Sequence, residues 1–476
     1  MMVRRFLLVL CCIIVPGCSR SPVDVHIAIS TPILDLSPIP NDQETALVTS
    51  NIYEGLVGYS PTMEIIPLLA TSWETLSDVT WKFRLRKDVY FHDGSPMTSE
   101  DVVTSIQHMV NAKDHILSEE FKIIQTVTAT EPGTVTITTS RPFSGLLHLL
   151  TAGAILPADD MEGSTGTGPY RVKKLSENEV QLAAFSHYWA GCPDIDTLTF
   201  FLLDSDRTLA DFSGRSGKYI FRDALRLLEK PHPDFLPRES LGLTVIYIGF
   251  NIAKSPFTSP ELRKAIFLGI DRKSLVQQRY GHRALPTCQP VPFHAYGFHP
   301  GLSCTYDPEQ ARKSLSESGL PLPVHLTVLT AGRGERTMTM VSEQLSRIGI
   351  DLSVKLVPWN ELLTSMLNGE AACYFTGHVS GFGNGLFTLD SLFSSHGASN
   401  TFGYADPEVD RLIHDAYHAM DDRKRLTLLQ KIEERVIMDA PMIPLANIYE
   451  TYAVSRELDW EPRPDGLVLG KEIGLK

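Results

Sequence analysis

The chain has 476 residues, enough for two large lobes or about three domain-sized units at roughly 150 residues each. Apolar residues make up 43% and charged residues 21%, an ordinary globular balance that excludes a disordered or collagen-like chain. The net charge is -13 with no long run of Lys and Arg, so there is no electrostatic footprint for a phosphate backbone and nucleic acid is not an expected partner.

The amino terminus reads as an export signal. Arg4 and Arg5 precede an apolar run from Phe6 to Val15, which meets Pro16, Gly17 and Cys18. The run is about ten residues, half of what a bilayer crossing needs, so residues 1–17 are expected to be a cleaved signal peptide. Val15-Pro16-Gly17-Cys18 resembles the lipobox of bacterial lipoproteins, which implies lipidation at Cys18 and a membrane tether. A generic signal with a chance cysteine, or an uncleaved anchor, would still place the rest of the chain outside the cytoplasm. Cys192, Cys288, Cys304 and Cys373 would then sit in an oxidising space. Cys288 and Cys304, sixteen positions apart across a loop containing Pro and Gly, are expected to form a local disulfide, and their spacing is not that of a zinc site.

In chain order, Val23 to Ile29 predicts a strand and Gln43 to Tyr53 a helix leading into Glu54-Gly55-Leu56-Val57. Trp81 to Leu85 alternates apolar and basic residues, the period of a half-buried strand. Ser99-Glu100-Asp101 opens a helix whose apolar face is Val102, Val103, Ile106 and Met109, leaving Asp88 to Pro96 as a loop. Val127 to Ser140, Val180 to Ala184 and Leu198 to Leu202 read as strands, and Gly163 to Tyr170 as a Gly-rich turn. A second long region starts near Tyr247, with helices over Ser259 to Ile270 and Arg272 to Tyr280 and an irregular stretch from Pro286 to Pro308. Helix Asp307 to Ser318 precedes a strand-helix-strand succession at Val324 to Thr330, Arg336 to Leu345 and Leu352 to Leu356, followed by a helix at Trp359 to Leu367. That alternation is α/β. Helices Glu408 to Met420 and Asp422 to Asp439 lead to a strand from Pro441 to Leu445, near an expected crossing between lobes.

Catalytic motifs are missing. There is no G-x-S-x-G, and Gly377-His378-Val379-Ser380-Gly381 has its serine one position away from where a nucleophile elbow would put it. There is no H-E-x-x-H. Gly163 to Gly168 looks like a phosphate loop, but Pro169-Tyr170 stands where Lys and Ser/Thr would be required, and its glycines serve a tight turn. His294 and His299 flank Tyr296 and Phe298, a pattern that fits a surface or a cavity wall better than a metal. No cofactor is expected.

Several segments, taken in order, resemble the periplasmic solute-binding proteins of family 5, the peptide- and nickel-binding components of ABC transporters. They are Glu54-Gly55-Leu56-Val57, Pro67 to Trp73, Trp81 to Arg86, Val89 to Val102, Gly166 to Tyr170, His187-Tyr188-Trp189, Phe250-Asn251, Leu262 to Ile266 and Gly269 to Lys273. The resemblance implies an α/β, two-lobed periplasmic-binding-protein fold of the class II-like, cluster C kind, with a small subdomain inserted in lobe I. By analogy residues 18–47, 165–249 and 451–476 form lobe I, 48–164 the insertion and 250–450 lobe II. It also implies a monomer that closes on a peptide or peptide-like solute and meets an ABC permease, with no catalysis.

Relatives of this family place an aspartate after an aromatic strand of lobe II to pair with a peptide amino group. The matching stretch, Thr376 to Leu386, puts His378 where Trp is usual and Asn384 where Asp is common. An amide can bond an ammonium but cannot neutralise it. The expected ligand-binding residues are Tyr53, Glu54, His378, Phe382, Gly383 and Asn384, with Trp359 and Tyr404 as further aromatics, and Asp390 could supply the charge. A nickel-chelate or haem carrier faced by His378, a secreted hydrolase and a non-transport surface lipoprotein stand as alternatives.

Overall fold

The computed structural model describes residues 21–112, 117–161, 163, 165–204, 207–215, 217–222, 232–303 and 305–476. The expected signal peptide and Cys18 lie outside the described residues. So does Cys304, and with it the expected pairing to Cys288. Cys288 is buried, while Cys192 and Cys373 are free thiols.

Local sequence accounts for the first elements. In Thr80–Leu85 the alternate residues Trp81, Phe83 and Leu85 enter the core. Helix Ser99–Asn111 starts at Thr98, whose hydroxyl accepts from Asp101 N while the Asp101 carboxylate accepts from Thr98 N, a reciprocal capping box. The stretch expected as one strand from Val127 to Ser140 is instead a hairpin, Ile124–Glu131 and Thr134–Thr139. The chain turns between them, where Gly133 takes φ +73°, open to glycine without a Cβ penalty. This hairpin joins Ala70–Ser77 and Thr80–Leu85 in a four-stranded antiparallel sheet under helix Ser99–Asn111.

The helix expected from Gln43 to Tyr53 ends at Thr49. Asn51 is drawn out of it by the far end of the chain: Nδ2 donates to Leu47 O and Val468 O, and Oδ1 accepts from Gly470 N.

The main sheet is mixed. Among the described residues its spatial order is Ile350–Leu356, Val324–Thr330, Cys373–Val379, Phe235–Phe250, Met442–Ser455, Lys218–Arg222, Asp24–Ile29, Thr197–Leu202, Glu179–Ala184 and Tyr170–Ser176. Parallel pairing of Asp24–Ile29 with two neighbours builds one end, and parallel pairing of Val324–Thr330 with Ile350–Leu356 builds the other. Each end has its own apolar core.

Two long antiparallel strands, Phe235–Phe250 and Met442–Ser455, connect the ends; the strand expected at 441–445 is only the beginning of the second. Their register slips between Leu241/Tyr449 and Thr244/Ile448. Asn447 clamps this irregularity: Nδ2 donates to Gly242 O at 2.8 Å and Thr244 O at 2.9 Å, and Oδ1 accepts from Phe293 N at 3.0 Å. A bulge of this kind bends a strand pair, and Asn447 bonds the backbone groups it leaves unpaired.

Candidate ligand-binding site

A third apolar cluster runs from the four-stranded sheet into the region around Leu243, Tyr247, Leu386 and Phe393, so the unit built on that sheet and the later helices of the chain meet across a largely apolar seam. Three contacts define it. Hairpin Val57–Tyr59/Ile65–Pro67 presents Tyr59, whose hydroxyl donates to Phe382 O at 2.6 Å. Gly383 has φ +55°, a left-handed conformation that favours glycine, and the Met63 side chain of the hairpin tip lies against the space a Cβ would take. Ser144 donates from N and Oγ to Tyr417 O and Ala416 O at the end of helix Pro407–His418, beside the stacked rings of Phe143 and Tyr417.

The seam is polar at its centre. His148 Nδ1 lies 2.8 Å from the Tyr59 hydroxyl. Tyr59 has one proton and gives it to the Phe382 carbonyl, so Nδ1 must be the donor and Nε2 the acceptor of a neutral ring. Burial, reinforced by the Arg425 charge, holds His148 at about 4. Tyr296 stands beside it, 6.5 Å between ring centres, and receives the Arg425 Nε–H on its hydroxyl at 3.2 Å.

His378 lies on Cys373–Val379 opposite Val245, on the face that carries Tyr374 and Thr376. Its Nε2 is buried with no hydrogen-bond partner, and burial lowers the ring to about 4. A buried nitrogen left open is uncommon in a folded protein and is the kind of group a ligand can satisfy. Phe382 and Gly383 follow in the loop held by Tyr59 and Met63. Asn384 is buried next to them, but its Oδ1 accepts from Leu386 N as the N-cap of helix Gly385–Phe393.

The other expected residues are engaged elsewhere. Glu54 is buried and accepts from Tyr188 Oη at 2.6 Å, Trp189 Nε1 at 2.8 Å and Thr167, with Lys471 Nζ at 3.6 Å. Arg86 stacks 3.9 Å above Trp189, so this carboxylate ties together segments of the first half and the tail. Tyr53 donates to Leu36 O, and burial pushes its hydroxyl up to about 12. Tyr404 donates to Asp439 at 2.7 Å. Trp359 is exposed at the start of helix Trp359–Leu367. The structure therefore places Phe382, Gly383 and Asn384 in one loop after the strand that carries His378, while Tyr53, Glu54 and Tyr404 are bonded elsewhere and Trp359 is exposed.

Sequence reasoning passed over Tyr59, His148 and Arg425. His148 lies on the six-residue helix Leu146–Thr151, too short to show a period, and Arg425 looks like any surface cation of a charged helix. Tyr296 had one signal, its place in the aromatic-rich irregular stretch. Among the described residues no group of three or more His, Cys, Asp or Glu is placed to hold a metal ion.

Known proteins resemble this chain in sequence and fold. The chain is 26% identical to the glutathione-binding protein GsiB of Pectobacterium atrosepticum over 470 residues, covering 91% of this chain and 90% of that protein. Among solved structures, the substrate-binding protein CtaP of Listeria monocytogenes superposes with a TM-score of 0.87 at 20% identity, over 96% of this chain and all of that one. The periplasmic binding protein DppA of Helicobacter pylori, solved with the peptide STSA, gives 0.77 at 22% identity over 95% and 98%. The model of the bacterial extracellular solute-binding proteins, family 5, matches residues 64–400, and with two α/β lobes joined by paired crossing strands around a seam, the chain belongs to that family.

Proposed function

We propose that this extracytoplasmic solute-binding protein captures a peptide or peptide-like solute between its lobes and delivers it to an ABC permease. Solute binding outside the cytoplasm, and not catalysis, is what the family does. The observation that carries the peptide reading is the likeness over nine-tenths of the chain to proteins named as glutathione-binding. His378, Phe382, Gly383 and Tyr296 on one side, where Tyr296 N donates to Gly383 O, and Tyr59 and His148 on the other are the residues we assign to the solute. Tyr59 already reaches Phe382 O across the seam, and closing this contact over a solute would exclude water and present a changed surface to the membrane partner. We assign residues 18–47, 165–249 and 451–476 to lobe I, 48–164 to its insertion and 250–450 to lobe II. The independent four-stranded sheet inside 48–164 supports that division. We also propose that Cys18 is lipidated, as Val15-Pro16-Gly17 before it implies, and that the protein acts as a monomer.

The test is native mass spectrometry of protein purified from its own extracytoplasmic compartment, followed by denaturation and identification of what is released. A peptide-like solute bound one to one is the expected result. The reading fails if the protein purifies without one and neither glutathione nor a short-peptide library raises its unfolding temperature. The open Nε2 of His378 favours a second reading, a metal-complex carrier. Stoichiometric nickel or iron that is lost in His378→Ala would establish it.

A further inference from the structure

Besides the central seam, a pocket of about 350 Å³ lies at the outer edge of the contact between the inserted unit and the helical half. Its size falls at the small end of the range for small-molecule sites, about 300–1,000 Å³. Glu120, Lys122 and Arg141 line one wall, and Phe387, Asp390 and Tyr417 line the other. The ring of Phe387 stands between this pocket and Phe382, 4.8 Å from it, so the two places are neighbours with an aromatic wall between them.

The charges on the walls balance. Two cations and two carboxylates face one cavity, which suits a molecule carrying both signs better than a net ion. Arg141 leans over the Tyr417 ring at 5.9 Å and enters no ion pair among the described residues. Glu120 Oε2 is buried with no hydrogen-bond partner. Asp390 accepts from the Tyr417 hydroxyl through Oδ2 at 2.8 Å, which leaves Oδ1 its lone pairs for a second donor. Asp390, Glu120 and Arg141 all act on the Tyr417 hydroxyl, which burial and the two carboxylates raise, so these groups converge on one spot.

From this convergence of opposite charges on aromatic walls, we infer that the outer pocket is a second binding site, for a small zwitterion of the free α-amino-acid class. The carboxylate is held by Arg141 and Lys122, the ammonium by Asp390 and Glu120, and an apolar side chain lies against Phe387 and Tyr417. The walls come from opposite sides of the seam, so an occupant contacts both and stabilises the closed arrangement. The coupling to closure rests on the two-lobed reading of the function, whereas the site itself does not depend on which solute fills the centre.

The test is calorimetric titration of the purified protein with the standard free amino acids at millimolar concentration, beside acetate and ethylammonium, which each carry half of the charge pattern. At least one amino acid is expected to bind one to one while neither half-ligand does. Arg141→Gln and Glu120→Gln should each weaken that binding by at least roughly tenfold, a lost charge-assisted bond, and leave the uptake of the central solute in place. Lys122→Gln serves as a third variant should either of the first two fail to fold. The inference is overturned if no amino acid binds the wild type, or if binding is unchanged in the variants that fold. Loss of central-solute binding by the wild type would sink the proposed function instead, so the two failures are distinguishable.

Discussion

Acid should act on His92 in a way its hydrogen bonds dictate. Nε2 lies 3.0 Å from Gly168 O and Nδ1 lies 3.2 Å from Gly166 N, so the ring donates at one nitrogen and accepts at the other. Only neutral imidazole does both; a second ring proton would face the Gly166 N–H. Burial is the main cause that takes the pKa from 6.5 to about 4, against the opposing bond to Gly168. The folded value lies below the unfolded one, so the ring's contribution is complete above pH 6.5 and is lost as pH falls from 6.5 to 4. At roughly 1.4 kcal/mol per pH unit per proton, the loss reaches about 3 kcal/mol by pH 4. The assay is urea unfolding of wild type and His92→Gln between pH 7 and pH 4.5. Other groups titrate in the same window: His148 and His378 add slope of the same sign, and Glu433, raised by burial, adds the opposite. Both proteins share those groups, so the difference between them isolates His92. That difference should shrink by about 1.4 kcal/mol per pH unit below pH 6. Parallel curves would refute the neutral, two-bond imidazole.

Three further outcomes follow from the seam and its supports. Tyr59→Phe removes the hydroxyl that bridges Phe382 O and His148 and leaves both without that partner, so denaturant melts should show a loss of about 2 kcal/mol and calorimetry a solute affinity lowered roughly threefold to tenfold. Arg463→Met should cost about 3–5 kcal/mol, because it strands Asp465 and Glu472, each 2.8 Å from the buried guanidinium, and frees Tyr59 O and Ser60 O; faster hydrogen exchange confined to residues 57–67 and the tail would report it. Asn447→Leu leaves the Gly242 and Thr244 carbonyls and the Phe293 amide without partners, a loss of about 3 kcal/mol in denaturant melts, and an unchanged midpoint would show that the irregular register does not need its clamp.

The α/β alternation was legible because core-facing residues repeat at the period of each element, as in Thr80–Leu85 and Ser99–Asn111. Helix Asp422–Asp439 has the bounds its pattern predicts. Failures came where distant residues decide the outcome. The helix after Gln43 stops early because Asn51 is bonded to Val468 and Gly470, which no local window contains. The strand Phe235–Phe250 carries polar residues through its first half, so only its apolar end near Tyr247 was visible. For the site, the loop from His378 to Asn384 was legible through the family resemblance. Its opposite wall was not, because Tyr59 and His148 reach it from separate short elements by tertiary packing alone. Glu54 shows the converse: a conspicuous acidic residue in a signature segment whose oxygens serve Tyr188 and Trp189.

The bonds from Asn51 to the tail also bear on how the molecule is made. They span 417 and 419 positions, and strand Met442–Ser455 completes the sheet beside Lys218–Arg222. The half synthesised first therefore lacks a strand, the Lys471 partner of Glu54 and the Arg463 prop of its hairpin until the last few dozen residues emerge. Contacts of such sequence separation form slowly and only after a large loop has closed. For a protein made on one side of a membrane and used on the other, the core that includes Tyr452, Trp460 and Val468 is completed only when its own tail arrives.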